Sequence, residues 1–318
     1  MEPSWSRSRR SAMPTILRVA FLATLVAFVV ACTGSGSSGS PSPGSPSPAL
    51  PSSRPSAVPT TTPVASVSIT HATGAANVIL RYEEAGGFAP QAFLATQAPI
   101  FTLYGDGTVI FRNPAGPSPA PLDGIYRYAP FRTVRLSEDQ VQTILAFAIS
   151  EGGLGSARPN YRNDQVSDAS TAVFTLGAGG LDKVVSIYAL GIDLAGLPDA
   201  AARAGFAKLA ERLAGFDRDG TLDARPYAPD RYRGSLSEGL AGAPGSKPWP
   251  WKDIRPTDFI AGTAPNAYGL PTRVLTIAQV EALGVDAFEG GIQGVNLIGP
   301  DGMSYSLSVR PLLPGEQG

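Results

Sequence analysis

The sequence predicts an α+β fold of antiparallel sheets with few helices, built as two similar helix-plus-hairpin lobes that share one core. Three observations predict it. Short alternating or β-branched runs follow one another along residues 67–136, two helices carry cap and stop signals, and a capped-helix-then-hairpin pattern occurs twice.

The chain has 318 residues, with one cysteine, one histidine and a formal net charge of −1. A single cysteine forms no intramolecular disulfide, and multi-cysteine zinc or iron–sulfur sites are excluded with it. A near-neutral charge argues against nucleic acid as a partner, because such binders carry a basic face. No phosphate loop and no Gly-x-Gly-x-x-Gly run opening a helix is present, so no cofactor is expected.

Residues 1–31 read as an export signal. Arg7, Arg9, Arg10 and Arg18 precede an apolar run, Val19 to Ala31, broken only by Thr24. As a helix this run rises only about 20 Å, short of the ~30 Å hydrocarbon core. Val29-Val30-Ala31-Cys32 resembles the lipobox of bacterial lipoproteins. That resemblance implies diacylglyceryl transfer to the Cys32 thiol, cleavage before it, and a membrane as partner through the attached lipid. Two or more acyl chains anchor stably where one binds marginally. Thr33, where an aspartate commonly causes inner-membrane retention, resembles the outer-membrane default.

Residues 32–65 are the lipidated cysteine and a linker. Of residues 33–65, 26 of 33 are Ser, Pro, Gly or Thr, and Arg54 is the sole charge. Such a segment buries too little apolar surface to offset its ordering entropy. It would span about 30 Å as a coil and about 100 Å in polyproline form.

The body is expected to begin near Ser66, with one lobe over 66–216 and a second over 217–318. Strands are predicted at Val67–Thr70, Val78–Glu83, Phe101–Tyr104, Thr108–Arg112, Gly124–Tyr128 and Thr133–Leu136. An Asp106-Gly107 turn joins the third and fourth, the strongest short-range hairpin signal. Ser137 and Gln140 form a capping box, and Val141, Ile144, Leu145 and Ala148 then make one apolar stripe that Gly152-Gly153 end. A second helix is expected from Asp199 to Ala214, inner face Leu209 and Leu213, weakened by about 1 kcal/mol at Gly205.

The second half repeats part of the first. Leu275-Thr276 with Gln279-Val280 matches Leu136-Ser137 with Gln140-Val141, and Val295–Gly302 matches Val173–Gly180. Neither unit buries its apolar face well alone, so the two are expected to pack side by side. At Phe101–Ile110, Leu136-Ser137 with Gln140-Val141, and Ala172–Leu190, the body resembles a family of secreted proteins from high-GC bacteria whose activity is uncharacterised. No catalytic residues come with that resemblance.

Chemistry is sparse. His71, the only histidine, lies in the first predicted strand, where a structural role outweighs a catalytic one. Asp217, Asp219 and Asp223 fall on calcium-loop positions around Gly220, but the bidentate glutamate is missing and an Asp-rich turn after a helix accounts for them. Glu83, Glu84, Asp164 and Asp168 are carboxylate candidates. Adjacent on a strand, Glu83 and Glu84 should face opposite sides. Asp164 and Asp168 sit in the extra loop of the first repeat, where Asp168 is read as turning the chain into the next strand. Trp249 and Trp251, in Lys247-Pro248-Trp249-Pro250-Trp251-Lys252, either plug the crevice between lobes or form a binding patch. The expected function is a membrane-tethered extracytoplasmic lipoprotein, a non-catalytic binder of an envelope glycan or protein. The alternative is a carboxylate-dependent hydrolase of envelope polysaccharide.

Overall fold

A computed structural model describes residues 68–113, 119–192, 196–261 and 268–317. Cys32, the signal and the linker lie outside them. Among the described residues no helix is long and apolar enough to cross a membrane.

The fold is α+β with mainly antiparallel sheets, as the sequence patterning requires. In chain order the elements are β1 (Val78–Gly86), α1 (Gln91–Thr96), β2 (Phe101–Tyr104), β3 (Thr108–Phe111), β4 (Tyr126–Arg127) and β5 (Arg132–Arg135). Next come α2 (Glu138–Ile149), β6 (Asn160–Tyr161), β7 (Ser170–Ala178), β8 (Leu181–Tyr188), α3 (Ala200–Ala214) and β9 (Arg225–Pro226). The chain continues through β10 (Arg231–Glu238), β11 (Lys247–Pro248), β12 (Ile260–Ala261), β13 (Pro271–Thr276), α4 (Ile277–Glu281), β14 (Ile292–Ile298) and β15 (Ser304–Pro311).

One sheet has the order β6-β8-β7-β1-β2-β3-β5-β9, the other β11-β14-β15-β10-β13-β12, with β4 also pairing to β14. The expected lobe boundary at 216/217 does not divide the sheets. β9 pairs with β5 of the first sheet, and β4 pairs with β14 of the second. The repeated segments both fold as strand, capped helix and hairpin, but they join their sheets differently. The first hairpin attaches through its leading strand, β7 on β1, and the second through its trailing strand, β15 on β10.

The helices form for the reasons their sequences suggest. Ser137 accepts from Gln140 N while Gln140 caps Ser137 N in return, and Thr276 and Gln279 do the same for α4. The α2 stripe Val141, Ile144, Leu145 and Ala148 is buried. Helix α3 buries Phe206, Leu209 and Leu213. Its Gly205 meets the end of α2 so closely that an added Cβ would lie 3.0 Å from the Glu151 carbonyl oxygen. The propensity loss there permits close helix approach.

Instead of one continuous core, the buried side chains form two large clusters and a small third. The first holds Phe101, Phe174, Leu145 and Phe206, the second Tyr232, Leu275, Val309 and Trp251. What both sheets share is the third, where Tyr104 and Ile110 meet Phe131 and Leu313. The reason is polar: arginines occupy the space between the sheets. Arg233 and Arg310 are buried, Arg310 Nη1 pairs with Glu316 Oε2 at 3.0 Å, and Arg81 reaches Glu316 Oε1 at 3.7 Å. Arg233 Nη2 donates to the Ala95 carbonyl at 2.9 Å, tying β10 to α1.

The predicted strand at Val67–Thr70 is absent from its described residues, 68–70. His71 makes an isolated bridge to Ala178, Gly179 N donates to Thr70 O at 2.7 Å, and Gln142 on α2 grips both the N–H and the carbonyl of Ile69. Side-chain bonds from α2 replace most of a ladder. The other predicted strands form, with Gly124–Tyr128 shortened to β4.

Candidate functional site

The sequence-derived candidates do not converge. Trp249 and Trp251 do not plug a crevice between lobes; both pack into the second sheet's own cluster. Their rings meet edge to face at 5.1 Å, and their indole N–H groups donate to Ile254 O at 2.6 Å and Gln279 O at 2.9 Å. Two satisfied indoles against a core are structural. Asp164 is exposed beside Arg162, at 3.4 Å. Asp168 is exposed, takes a positive φ of 60°, and its carbonyl accepts from Phe88 N, which is the expected turn into β7.

Asp217 is already committed. One carboxylate oxygen accepts from Leu222 N at 2.9 Å, and the other lies 3.0 Å from Arg132 Nη1. Asp219 is exposed, and Asp223 is exposed beside Arg225 at 3.3 Å. Among the described residues no group of three or more His, Cys, Asp or Glu stands close enough to hold a metal ion.

His71 is held between two acceptors. Nδ1 lies 2.8 Å from Ala72 O and Nε2 3.1 Å from Glu138 Oε1. Burial works to lower its pKa, but the bond to Ala72 and then Glu138 outweigh it and the net direction is up. An imidazole with both nitrogens facing acceptors favours the cation and is a poor base. Glu83 and Glu84 do face opposite sides. Burial pushes the Glu83 carboxyl up, with Arg81 and Arg310 pulling against burial and Glu316, whereas Glu84 accepts from Tyr82 OH at 2.8 Å.

The groove that the structure does form was not visible in the sequence. Helix α1, which the sequence reading missed, crosses β10, β14 and β15 and sets Phe93 against Tyr128, ring centroids 6.4 Å apart. This pair lines two adjoining chambers. The roomier, about 710 Å³, is walled by Phe93, Pro119, Pro121, Tyr126 and Tyr128, with Gln293 and Ser306 also lining it. The second, about 320 Å³, is lined by Glu84, Thr96, Gln97, Arg112 and Tyr128. Gln293 Nε2 donates to both Thr96 Oγ1 and Tyr128 OH, joining β14 to α1. Burial pushes the Tyr128 phenol up, against the pull of Thr96, Arg112 and Gln293, so it stays a proton donor at neutral pH.

The exposures differ from those of a core. Tyr126 is 60 % and Phe93 40 % exposed. Exposed rings beside amide and hydroxyl groups suit a ligand with both apolar faces and hydroxyls. Arg127, next to Tyr126, is spent on structure and donates to Asp286 O at 2.8 Å and Ile125 O at 3.1 Å. This fixes the short strand that presents Tyr126. No protein family, curated protein or solved structure matches this chain.

Proposed function

We propose that this chain is a membrane-tethered extracytoplasmic lipoprotein, anchored through lipid on Cys32, whose body is a non-catalytic binding module for an envelope glycan. The supporting observation is the two-chamber groove, where exposed Tyr126 and Phe93 flank a polar floor of Thr96, Tyr128 and Gln293. Sugar rings present apolar C–H faces to aromatic rings and hydroxyls to amides and phenols, and the groove offers both. A hydrolase would need two carboxyls facing one cleft. Of Glu83, Glu84, Asp164 and Asp168, only Glu84 lines the groove.

Calorimetric titration of the full chain with soluble cell-wall polysaccharide fragments tests the binding role. Tyr126→Ala should weaken binding at least tenfold while stability stays within about 0.5 kcal/mol, as for a surface substitution. Equal binding by both proteins overturns this reading. The anchor is tested by Cys32→Ala, which should neither take up labelled fatty acid nor partition with membranes.

A further inference from the structure

We infer that the smaller chamber is a carboxylate subsite, so that the glycan bound in the groove is an acidic one; this rests on the glycan-binding reading above. Arg112 carries the inference. Its guanidinium is largely buried, makes no ion pair among the described residues, and its Nε has no hydrogen-bond partner. Nη2 donates to the Gly290 carbonyl, and the guanidinium carbon sits 4.0 Å from the Phe131 ring centroid and 5.4 Å from that of Tyr128.

Two ring faces and one carbonyl hold the side chain in place without neutralising it. Buried charges are ordinarily paired, because an unpaired one forfeits its hydration. Here the neighbouring charge has the wrong sign. Burial lowers the Arg112 pKa to about 10, with Tyr128 opposing and Arg310 adding to the fall, and Arg112 still remains a cation at neutral pH. A ligand carboxylate in the chamber supplies the missing counter-charge, and a planar guanidinium is suited to receive one.

Glu84 is the other charged group lining the chamber. It is exposed and already accepts from Tyr82 OH, so solvent screens it more than Arg112 is screened. Its free acceptor capacity suits a sugar hydroxyl or acetamido N–H. The adjoining chamber, with Tyr126 and Phe93, then takes the neighbouring ring. This division of labour favours a polysaccharide with a carboxyl on alternate sugars over a uniformly charged chain.

The test compares two tetrasaccharides on the full chain: chitotetraose, and its counterpart with alternating N-acetylglucosamine and N-acetylmuramic acid, which adds lactyl carboxylates to the same backbone. The acidic tetrasaccharide should bind at least tenfold tighter, and added salt should shrink the difference. Arg112→Gln should bring the acidic ligand down toward the level of chitotetraose, while Arg112→Lys keeps part of the preference. Glu84→Gln should tighten the acidic ligand severalfold, and this variant serves if loss of Arg112 unfolds the protein. Equal affinity for the two glycans overturns the carboxylate subsite and leaves the groove reading standing. Binding of neither, in a folded protein, overturns both. A peptide with a free C-terminal carboxylate that outcompetes both glycans also overturns the assignment and makes the ligand a protein.

Discussion

Nη1 of Arg310 lies 3.0 Å from Oε2 of Glu316, and only 2 % and 9 % of the two side chains reach solvent. The same carboxylate oxygen accepts from Leu313 N at 3.0 Å, and the other faces Arg81 on the first sheet at 3.7 Å. Glu316→Ala removes the anion and leaves two arginines facing one another. Breaking a buried pair from one side costs about 3–5 kcal/mol. Urea denaturation should show a fall of that order, and a change below about 0.5 kcal/mol would mean the pair is dispensable.

The His71–Glu138 pair predicts a pH dependence. The His71 pKa is raised above 6.5, so its contribution is full below that value and fades as pH rises through the folded pKa. The Glu138 pKa is lowered from 4.5, by Gln142 and then His71, so its contribution is present above 4.5 and is lost as pH falls through the folded value. With Glu138 61 % exposed, the pair is worth no more than about 1 kcal/mol. The stability advantage of the native chain over His71→Gln should be greater near about pH 5.5 than near about pH 8.5. An advantage that grows with pH would contradict this.

Gly205→Ala should destabilise, against helix propensity. Alanine gains about 1 kcal/mol in a helix interior. Its Cβ, however, would lie 3.0 Å from Glu151 O, a backbone atom that cannot swing aside. Overpacking costs about 1–3 kcal/mol, so a net loss of about 1 kcal/mol is expected. Thermal denaturation checks it, and a raised melting temperature would show that the two helices have room to separate.

Trp251→Ala should cost about 3–5 kcal/mol, through the cavity left in the second cluster and the loss of the bond to Gln279 O. Binding per folded molecule should be unchanged, because neither tryptophan lines the groove. A Trp249→Ala protein of native stability that no longer captures ligand would restore the tryptophans to the site.

What the sequence made legible was what short-range rules govern. The caps at Ser137 and Thr276, the α2 stripe and the Asp106-Gly107 turn all depend on residues within a few positions of each other. Helix α1 was missed because six residues are too few to display a period. The buried arginines were missed because a charged residue in a strand reads as solvent-facing until its partner is known. Arg203 shows this within one helix. It is fully buried, pairs with Asp199 at 3.0 Å, and donates to the carbonyls of Tyr188 and Arg162. The groove itself joins α1, the turn before β4 and the edge of β14, segments far apart in the chain, and no motif spans them.

The exchange of β4 and β9 between the sheets sets the order in which this protein can be made. While the ribosome is still producing the second half, β5 lacks β9 on its outer edge, and Tyr126 and Arg127 have no β14 to join. Arg81 waits longer still, since its partner Glu316 follows β15 in the chain. Contacts this distant in sequence delay folding. The nascent chain therefore stays open until these later strands have been made.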